Sequence, residues 1–403
     1  MKKKTLLLTI GMILSMTTNV FAANLDRLGG LDRYETAALI NNEMQSETLI
    51  LVSGSDFADA LSASGLVKYY NAEIHLVNRG NLDSNTIASL NNNEFKRAII
   101  VGGTTAVSEI IEDQLKDKLG KENVERLGGL NRYETSAIVA SKIADNCQYG
   151  VGSAFIATGK DFADALSVAP IAASQGYPII LTPGDSLSES AIDVLNNANM
   201  CYKIGGETVV SDKIDSLIEK DSFYIKRLGG LDRYETNKAV IGQFNFSTFD
   251  YNNVYIANGL SFPDALTGSA LAAKNRAPIV LVNNKTVKES TQDVIDCFQS
   301  ENLIALGGTT AVSNETMEEL SKVKVDQEPV FEYENKIVLS ADKIGSIPTA
   351  QDIGLIATGK KGNDCSWTFL PMKGGADENG GSMSFIVVID GEVKSGSVTF
   401  TYQ

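Results

Sequence analysis

The ten residues Arg27 to Thr36 read RLGGLDRYET; the string returns as RLGGLNRYET at Arg126 to Thr135 and as RLGGLDRYET at Arg227 to Thr236. The leading arginines lie 99 and 101 residues apart. A string repeated almost unchanged at a domain-sized interval means three copies of one folding unit.

Inside each interval, short apolar runs alternate with helical patterns. In the first copy Thr48 to Val52, Ile74 to Val77, Ala98 to Val101 and Val124 to Leu127 read as strands. Asp32 is placed to cap a helix running through Tyr34 and Ile40. Further helices are predicted after Phe57, over Ser84 to Asn91 with Ile87 and Leu90 inward, and from a Thr104 cap through Val107, Ile110, Ile111 and Leu115. Strands that are apolar throughout, each followed by a helix, predict parallel sheets covered on both faces.

Two more strings recur on this frame. SGSDFADALS (Ser53 to Ser62), TGKDFADALS (Thr158 to Ser167) and NGLSFPDALT (Asn258 to Thr267) follow the first strand of each copy. VGGTTAVS (Val101 to Ser108), IGGETVVS (Ile204 to Ser211) and LGGTTAVS (Leu306 to Ser313) follow the third. Together with the opening motif they fall at the C-terminal ends of parallel strands, the edge where open α/β sheets bind ligands. Helix N-termini there offer free N–H groups to oxygens and anions.

The candidate ligand-binding residues are therefore Arg27, Arg33 and Asp59, their counterparts Arg126, Arg132 and Asp164, and Arg227, Arg233 and Asp264. The glycine pairs Gly102 and Gly103, Gly205 and Gly206, and Gly307 and Gly308 complete the set. Each type has a structural and a functional reading. The glycines are turns with positive φ or close packing, or else anion nests. An arginine at a helix N-terminus opposes the helix dipole and needs a partner, either the aspartate inside the D-A-L helix or an anionic ligand. Tyr34, Tyr133 and Tyr234 pack on the helix or stack on a sugar. A carboxylate pair such as Asp59 with Glu35 would suit glycoside hydrolysis. Triplication suits multivalent binding better.

Composition narrows the field. The net charge is −15; Lys2, Lys3 and Lys4 contribute +3, so the chain without them carries −18. Nucleic acid is excluded as a partner by that balance, and an anionic ligand must be met locally or bridged by a divalent cation. No cofactor or metal is called for: His75 is the single histidine, and Cys147, Cys201, Cys297 and Cys365 have no ligand spacing and read as buried free thiols. Neither a P-loop nor a G-x-G-x-x-G string is present.

The ends differ from the repeats. Residues 1–22 combine a basic start, an apolar run from Leu6 to Ser15 and a Val20-Phe21-Ala22 cleavage pattern, which predicts an export signal and a mature form without a membrane span. The expected division is 23–122, 123–223 and 224–324 for the modules and 325–403 for a small all-β, Ig-like domain. There Ile337 to Leu339, Gly354 to Ala357, Trp367 to Phe369, Phe385 to Ile389 and Val398 to Tyr402 read as strands. Asp390-Gly391 reads as a hairpin turn and Gly374 to Gly381 as a polar loop.

The R-x-x-G-x-x-R-Y-E-T, F-x-D-A-L and G-G-x-x-x-V-S strings resemble the type 2 cell wall binding repeat, found in triplets in S-layer-associated cell wall proteins of clostridia and related Gram-positive bacteria. Pro178-Ile-Ile-Leu181 and Pro278-Ile-Val-Leu281 fit a further family motif. The resemblance covers about residues 25 to 323. It implies a pseudo-threefold assembly of Rossmann- or Toprim-like modules that holds a secreted protein non-covalently to an anionic secondary wall polysaccharide, with S-layer proteins as neighbours. The first copy departs with Glu73-Ile-His-Leu76, the second with Asn131 and Glu207, and the third with Ser261 and Pro263, so three unequal sites are expected.

Overall fold

A computed structural model describes residues 23–322, apart from 149, 220–223, 251 and 299, together with six strands within 330–402. The export-signal expectation falls on 1–22, outside the described residues, as does Cys365.

The first module contains β2 (Thr48–Ser53), β3 (Ala72–Val77), β4 (Arg97–Val101) and β5 (Val124–Leu127), in sheet order β3-β2-β4-β5. The second contains β6 (Val151–Thr158), β7 (Ile179–Thr182), β8 (Ala198–Ile204) and β9 (Ile225–Leu228), in the same order β7-β6-β8-β9. The third contains β10 (Asn253–Asn258), β11 (Ile279–Val282) and β12 (Asn302–Leu306). Its fourth strand comes from the other end of the triplet: β1 (Asn24–Leu28) lies parallel to β12, with Arg27 opposite Ala305 and Leu28 opposite Leu306. The strand that ends in Arg-Leu-Gly-Gly thus completes the preceding module each time, and the first copy completes the third. The sheets close into a ring. All pairings within these sheets are parallel.

The helices follow the predicted order with two corrections. α1 (Arg33–Asn42), α2 (Phe57–Ser62), α3 (Leu66–Tyr70), α4 (Ser84–Asn92) and α5 (Glu109–Leu119) serve the first module. α6 (Arg132–Asp145), α7 (Ala163–Gln175) and α8 (Glu189–Asn196) serve the second; α9 (Arg233–Thr248), α10 (Pro263–Lys274), α11 (Glu289–Phe298) and α12 (Asn314–Leu320) the third. α5 starts after Ser108 instead of Thr104, because Gly103 to Val107 is spent on a turn in which Ala106 and Val107 donate to the Gly103 carbonyl. Ile87 and Ile110 are exposed, while Leu90, Ile111 and Leu115 carry the buried face.

The D-A-L helices meet at the centre. α7 packs on α2 and α10, and α2 touches α10. Phe57, Phe162 and Phe262 form a triangle with ring centroids 5.8, 5.9 and 6.1 Å apart. Edge and tilted contacts of this kind add about 0.5–1.5 kcal/mol per pair beyond area burial. Small residues such as Ala165, Ala169, Ala265 and Ala272 let these helices approach, and one apolar core runs through all three modules. The modules are therefore one body with a shared interior.

Beyond residue 329 the described strands form a four-stranded sheet, β14 (Lys336–Leu339), β18 (Glu392–Tyr402), β17 (Gly380–Ile389) and β16 (Trp367–Asp377), and a two-stranded pair, β13 (Val330–Glu332) with β15 (Ile356–Thr358). Every described element there is a strand, as the all-β expectation had it. Asp390-Gly391 lies outside the described residues, but Ile389 pairs with Glu392 across it. Most of the stretch read as a polar loop is strand: Gly374 to Asp377 closes β16 and Gly380-Gly381 opens β17.

Candidate functional site

In every sheet the first and third strands of the module are neighbours, and the fourth lies beside the third. Their C-terminal loops therefore stand side by side: the F-x-D-A-L loop, the Gly-Gly turn, and the opening motif that leads into the next module. Each junction sets these loops of two modules against each other, and at the first–second and third–first junctions they enclose a cleft.

The motif's own residues mostly organise its turn. The side chains of Asp32, Asn131 and Asp232 accept from the two backbone N–H groups at positions 34 and 35, 133 and 134, and 234 and 235. Glu35, Glu134 and Glu235 accept from the N–H groups of Leu31, Leu130 and Leu231 at 2.6, 2.9 and 2.8 Å. Thr36, Thr135 and Thr236 accept from Gly30, Gly129 and Gly230 at 3.0–3.2 Å. This satisfies the orphan donors of a helix start three times over.

Two glycine turns pack backbone to backbone at each junction. A Cβ at Gly128 would stand 2.6 Å from the Gly102 carbonyl oxygen, so no side chain fits. Gly102, Gly205 and Gly307 have φ of +121°, +100° and +98°. A Cβ at Gly102 would also lie 2.8 Å from Asp59 Oδ2, and those at Gly205 and Gly307 closer still to Asp164 and Asp264. The first glycine of each pair is thus structural. The second, Gly103, Gly206 or Gly308, has nothing nearer than 3.4 Å to an added Cβ.

The first arginine of each motif is a staple. Arg27, Arg126 and Arg227 donate from Nη1 to the carbonyls of Gly307, Gly102 and Gly205 at 2.8, 2.9 and 2.8 Å. Arg126 adds Glu112 at 2.7 Å, Arg227 adds Asp212 at 2.6 Å, and Arg27 has the neutral Asn314 at 3.1 Å. The second arginine holds the loop after the first strand of its own module. Arg33, Arg132 and Arg233 donate to the carbonyls of Gly54, Gly159 and Gly259. It then reaches into the neighbouring module: Arg132 Nη2 meets Asp56 at 3.2 Å and Arg233 Nη2 meets Asp161 at 3.1 Å. The same two arginines lie over the rings of Phe57 and Phe162.

These contacts correct the expected fork. The arginine's acidic partner is the aspartate before the phenylalanine, in the adjacent module, and not the aspartate of D-A-L. The third copy has Ser261 at that place. Among the described residues Arg33 consequently makes no ion pair, and its one hydrogen bond goes to Gly54.

Asp59, Asp164 and Asp264 sit deeper, beneath the Gly-Gly turns. Burial pushes Asp164 and Asp264 up to about 6; the negative Asp161 adds to it at Asp164, against Thr236 and Arg233, and Arg33 opposes it at Asp264. Asp59 is raised, first by burial and then by Asp56, against a hydrogen bond from Thr135 and the charge of Arg132. Its Oδ1 is buried with no hydrogen-bond partner among the described residues.

The cleft between the first and second modules encloses about 510 Å³ and is lined by Asp56, Asp59, Arg79, Gly103, Leu130 and Arg132, among others. The cleft between the third and first encloses about 240 Å³, lined by Leu31, Arg33, Ser261, Asp264, Gly308 and neighbours. Leu31, Leu130 and Leu231 are 97, 93 and 97% exposed, so they contribute nothing to the core and give the edge an apolar lip. Glu35 and Asp59 are not brought together: Glu35 is held by Leu31 N–H, whereas Asp59 faces the second copy of the motif. The tyrosines pack, as their rings stand against Gly54, Gly159 and Gly259. Arg79, Asp56, Asp161 and the exposed leucines escaped the sequence reading. The departure at Ser261 was legible in the sequence, but not that the aspartates at that place pair with an arginine of the next module.

Among the described residues Cys147, Cys201 and Cys297 form no disulfide, and the last two are buried. Among the described residues no group of acidic, histidine or cysteine side chains is arranged to hold a metal, and no helix is long and apolar enough to cross a membrane.

The model of cell wall binding domain 2 (CWB2) matches residues 27–112, 126–215 and 227–317. The chain is 32% identical over 322 residues to the N-acetylmuramoyl-L-alanine amidase LytC of Bacillus subtilis, covering 79% of this chain and 62% of that protein. It is 30% identical to the amidase enhancer of the same organism, covering 73% of this chain and 40% of that one. The chain thus spans less than two thirds of the length of either relative. Cwp8 from Clostridium difficile superposes with a TM-score of 0.67 at 30% identity, over 74% of this chain and 51% of Cwp8. Cwp6 gives 0.67 at 28% identity, over 79% and 52%. With three matched repeats and the ring of parallel sheets that they build, the chain belongs to the cell wall binding domain 2 family.

Proposed function

We propose that this chain is an exported cell-surface protein held non-covalently to a Gram-positive wall. Its clefts between modules bind an anionic secondary wall polysaccharide, and the small β domain is displayed beyond them. The observation that carries this reading is the composition of each cleft. A guanidinium of one module, the free side of a Gly-Gly turn and a buried aspartate of its neighbour meet only when the modules are assembled. Such a cleft offers donors to an anion and an acceptor to a sugar hydroxyl. Three linked sites of modest affinity gain avidity on a repeating polymer without any new contact. Export by the segment 1–22 and a position beside S-layer proteins belong to the same proposal.

The test uses the full chain and purified walls, intact or stripped of anionic polymer by acid. Co-sedimentation with intact walls alone is the expected result. Equal sedimentation with stripped walls overturns the reading.

A further inference from the structure

The three junctions share a backbone plan but differ in which cation each leaves without an ion pair among the described residues: Arg79, Lys160 and Arg33. One difference arises two residues beyond the second strand of each module, where the G-G-x-x-x-V-S turn is tied down. In the first module Ser108 N–H donates to the Arg79 carbonyl at 3.0 Å, and in the second Ser211 N–H donates to the Gly184 carbonyl at 2.7 Å. In the third the tie is a side chain: Asn284 Oδ1 accepts from Ser313 N–H at 2.6 Å while its Nδ2 donates to the Thr310 carbonyl at 2.7 Å. The position thus holds a glycine in one copy and a fully engaged asparagine in another. In the first copy the backbone does the tying and a charged side chain is left over at this position; in the second the exposed Lys160 brings its ammonium to 4.0 Å from where a side chain at Gly184 would begin.

That side chain is Arg79. It is exposed, lines the larger cleft, and makes no ion pair or hydrogen bond among the described residues. The other guanidinium of this cleft, Arg132, is engaged by Gly159 and Asp56. Thr105 and the open side of Gly103 complete a polar wall facing Arg79. In the smaller cleft Arg33 is the cation among the lining residues, and Asn284, at the position of Arg79, is spent on the Thr310 carbonyl of that lining.

We propose that the cleft between the first and second modules is an anion site, and that the Arg79 guanidinium receives the negative charge of the bound polymer there. This rests on the wall-anchoring reading and assigns it to one site and one residue. A free guanidinium forms two parallel bonds to phosphate or carboxylate at no cost in broken native contacts. An already paired arginine must first give up its carboxylate.

Full-length protein carrying Arg79→Ala is compared with the parent by co-sedimentation on intact walls over a range of salt. The expected result is about tenfold weaker binding and a shallower salt dependence, with an unchanged melting temperature. Arg79→Lys, which keeps the charge without the fork, is expected to fall between the two. Inorganic phosphate and glucuronate serve as competitors. Displacement by phosphate assigns a phosphodiester, displacement by glucuronate a uronate, and displacement by neither overturns the proposal. Arg79→Ala that binds intact walls like the parent also overturns it, as does a loss of binding that tracks a loss of melting temperature. Failure of the parent itself to prefer intact over stripped walls defeats the anchoring reading instead, so the two failures are distinguishable.

Discussion

β5 and β1 both end in Arg-Leu-Gly-Gly and both complete a parallel sheet, but they arrive by different routes. β5 follows its own module along the chain, and Arg126 stands opposite Ile100. β1 crosses the whole triplet to place Arg27 opposite Ala305. Loop closure costs about 0.6 kcal/mol for each doubling of the loop, so the longer route is entropically dearer in an unstructured chain. The contacts waiting at the end are also weaker. Leu127 and Leu228 are buried where Leu28 is only half-buried. Arg126 and Arg227 find carboxylates where Arg27 finds an amide. The next arginine along, Arg33, faces Ser261 where its counterparts face aspartates. An identical local string therefore makes a tight junction twice and a looser one at the point where the ring closes.

The severest way to break this comparison is to remove residues 23–28. Loss of β1 leaves the β12 edge unpaired and Arg27's staple gone, and at about 0.5–1.5 kcal/mol per ladder hydrogen bond the expected loss is several kcal/mol. A thermal melt that does not move would show that closure contributes nothing.

Next come the staples. Arg126→Ala strips Glu112 and two carbonyls of a charged donor and is expected to cost about 2–3 kcal/mol, against about 1 kcal/mol for Arg27→Ala. Denaturant titration of both variants measures the gap, and equal values would erase the distinction between junctions.

The buried aspartates make stability fall with rising pH. Asp164 and Asp264 hold their protons up to about 6 in the folded chain, against a usual value of 3.8. Their favourable contribution is complete below about pH 4 and is lost as pH rises through 6, because the folded state then holds a desolvated charge. Asp264→Asn is expected to remove its share of that slope and to gain about 1–3 kcal/mol at pH 7. A stability profile between pH 4 and 7 that is unaltered by the substitution would contradict the burial argument.

The smallest effect is the most diagnostic. Ser261→Asp supplies the acid that Arg33 lacks and is expected to stabilise by less than about 1 kcal/mol, as partly exposed ion pairs do. Calorimetry measures the stability. Wall binding is expected to fall slightly as Arg33 becomes as neutralised as Arg132 and Arg233 already are, and a rise would reverse the reading of Arg33.

Sequence periodicity located nearly every strand of the repeats, because runs such as Leu49 to Val52 and Ile99 to Val101 are apolar on both faces. It placed the three recurring strings on one edge, because each follows such a run. It also anticipated unequal sites from Ser261, Glu207 and Glu73-Ile-His-Leu76. It mispaired the arginines, because Asp56 and Asp59 are only three residues apart in the sequence. Which of them meets a guanidinium depends on the neighbouring module: α2 turns Asp59 down under the Gly102 turn and leaves Asp56 at the rim.

The repeat count, the α/β class, the capping roles of Asp32 and its counterparts, and the family are determined by the sequence alone, because they depend on local periodicity and on residues within a few positions of each other. The ring closure by β1, the phenylalanine triangle on the axis, the staple role of Arg27, Arg126 and Arg227, and the release of Arg79 into a cleft were decided only by the tertiary structure. Each depends on what stands opposite once the elements are packed, and residues 22 to 280 apart leave no periodic trace of that in the chain.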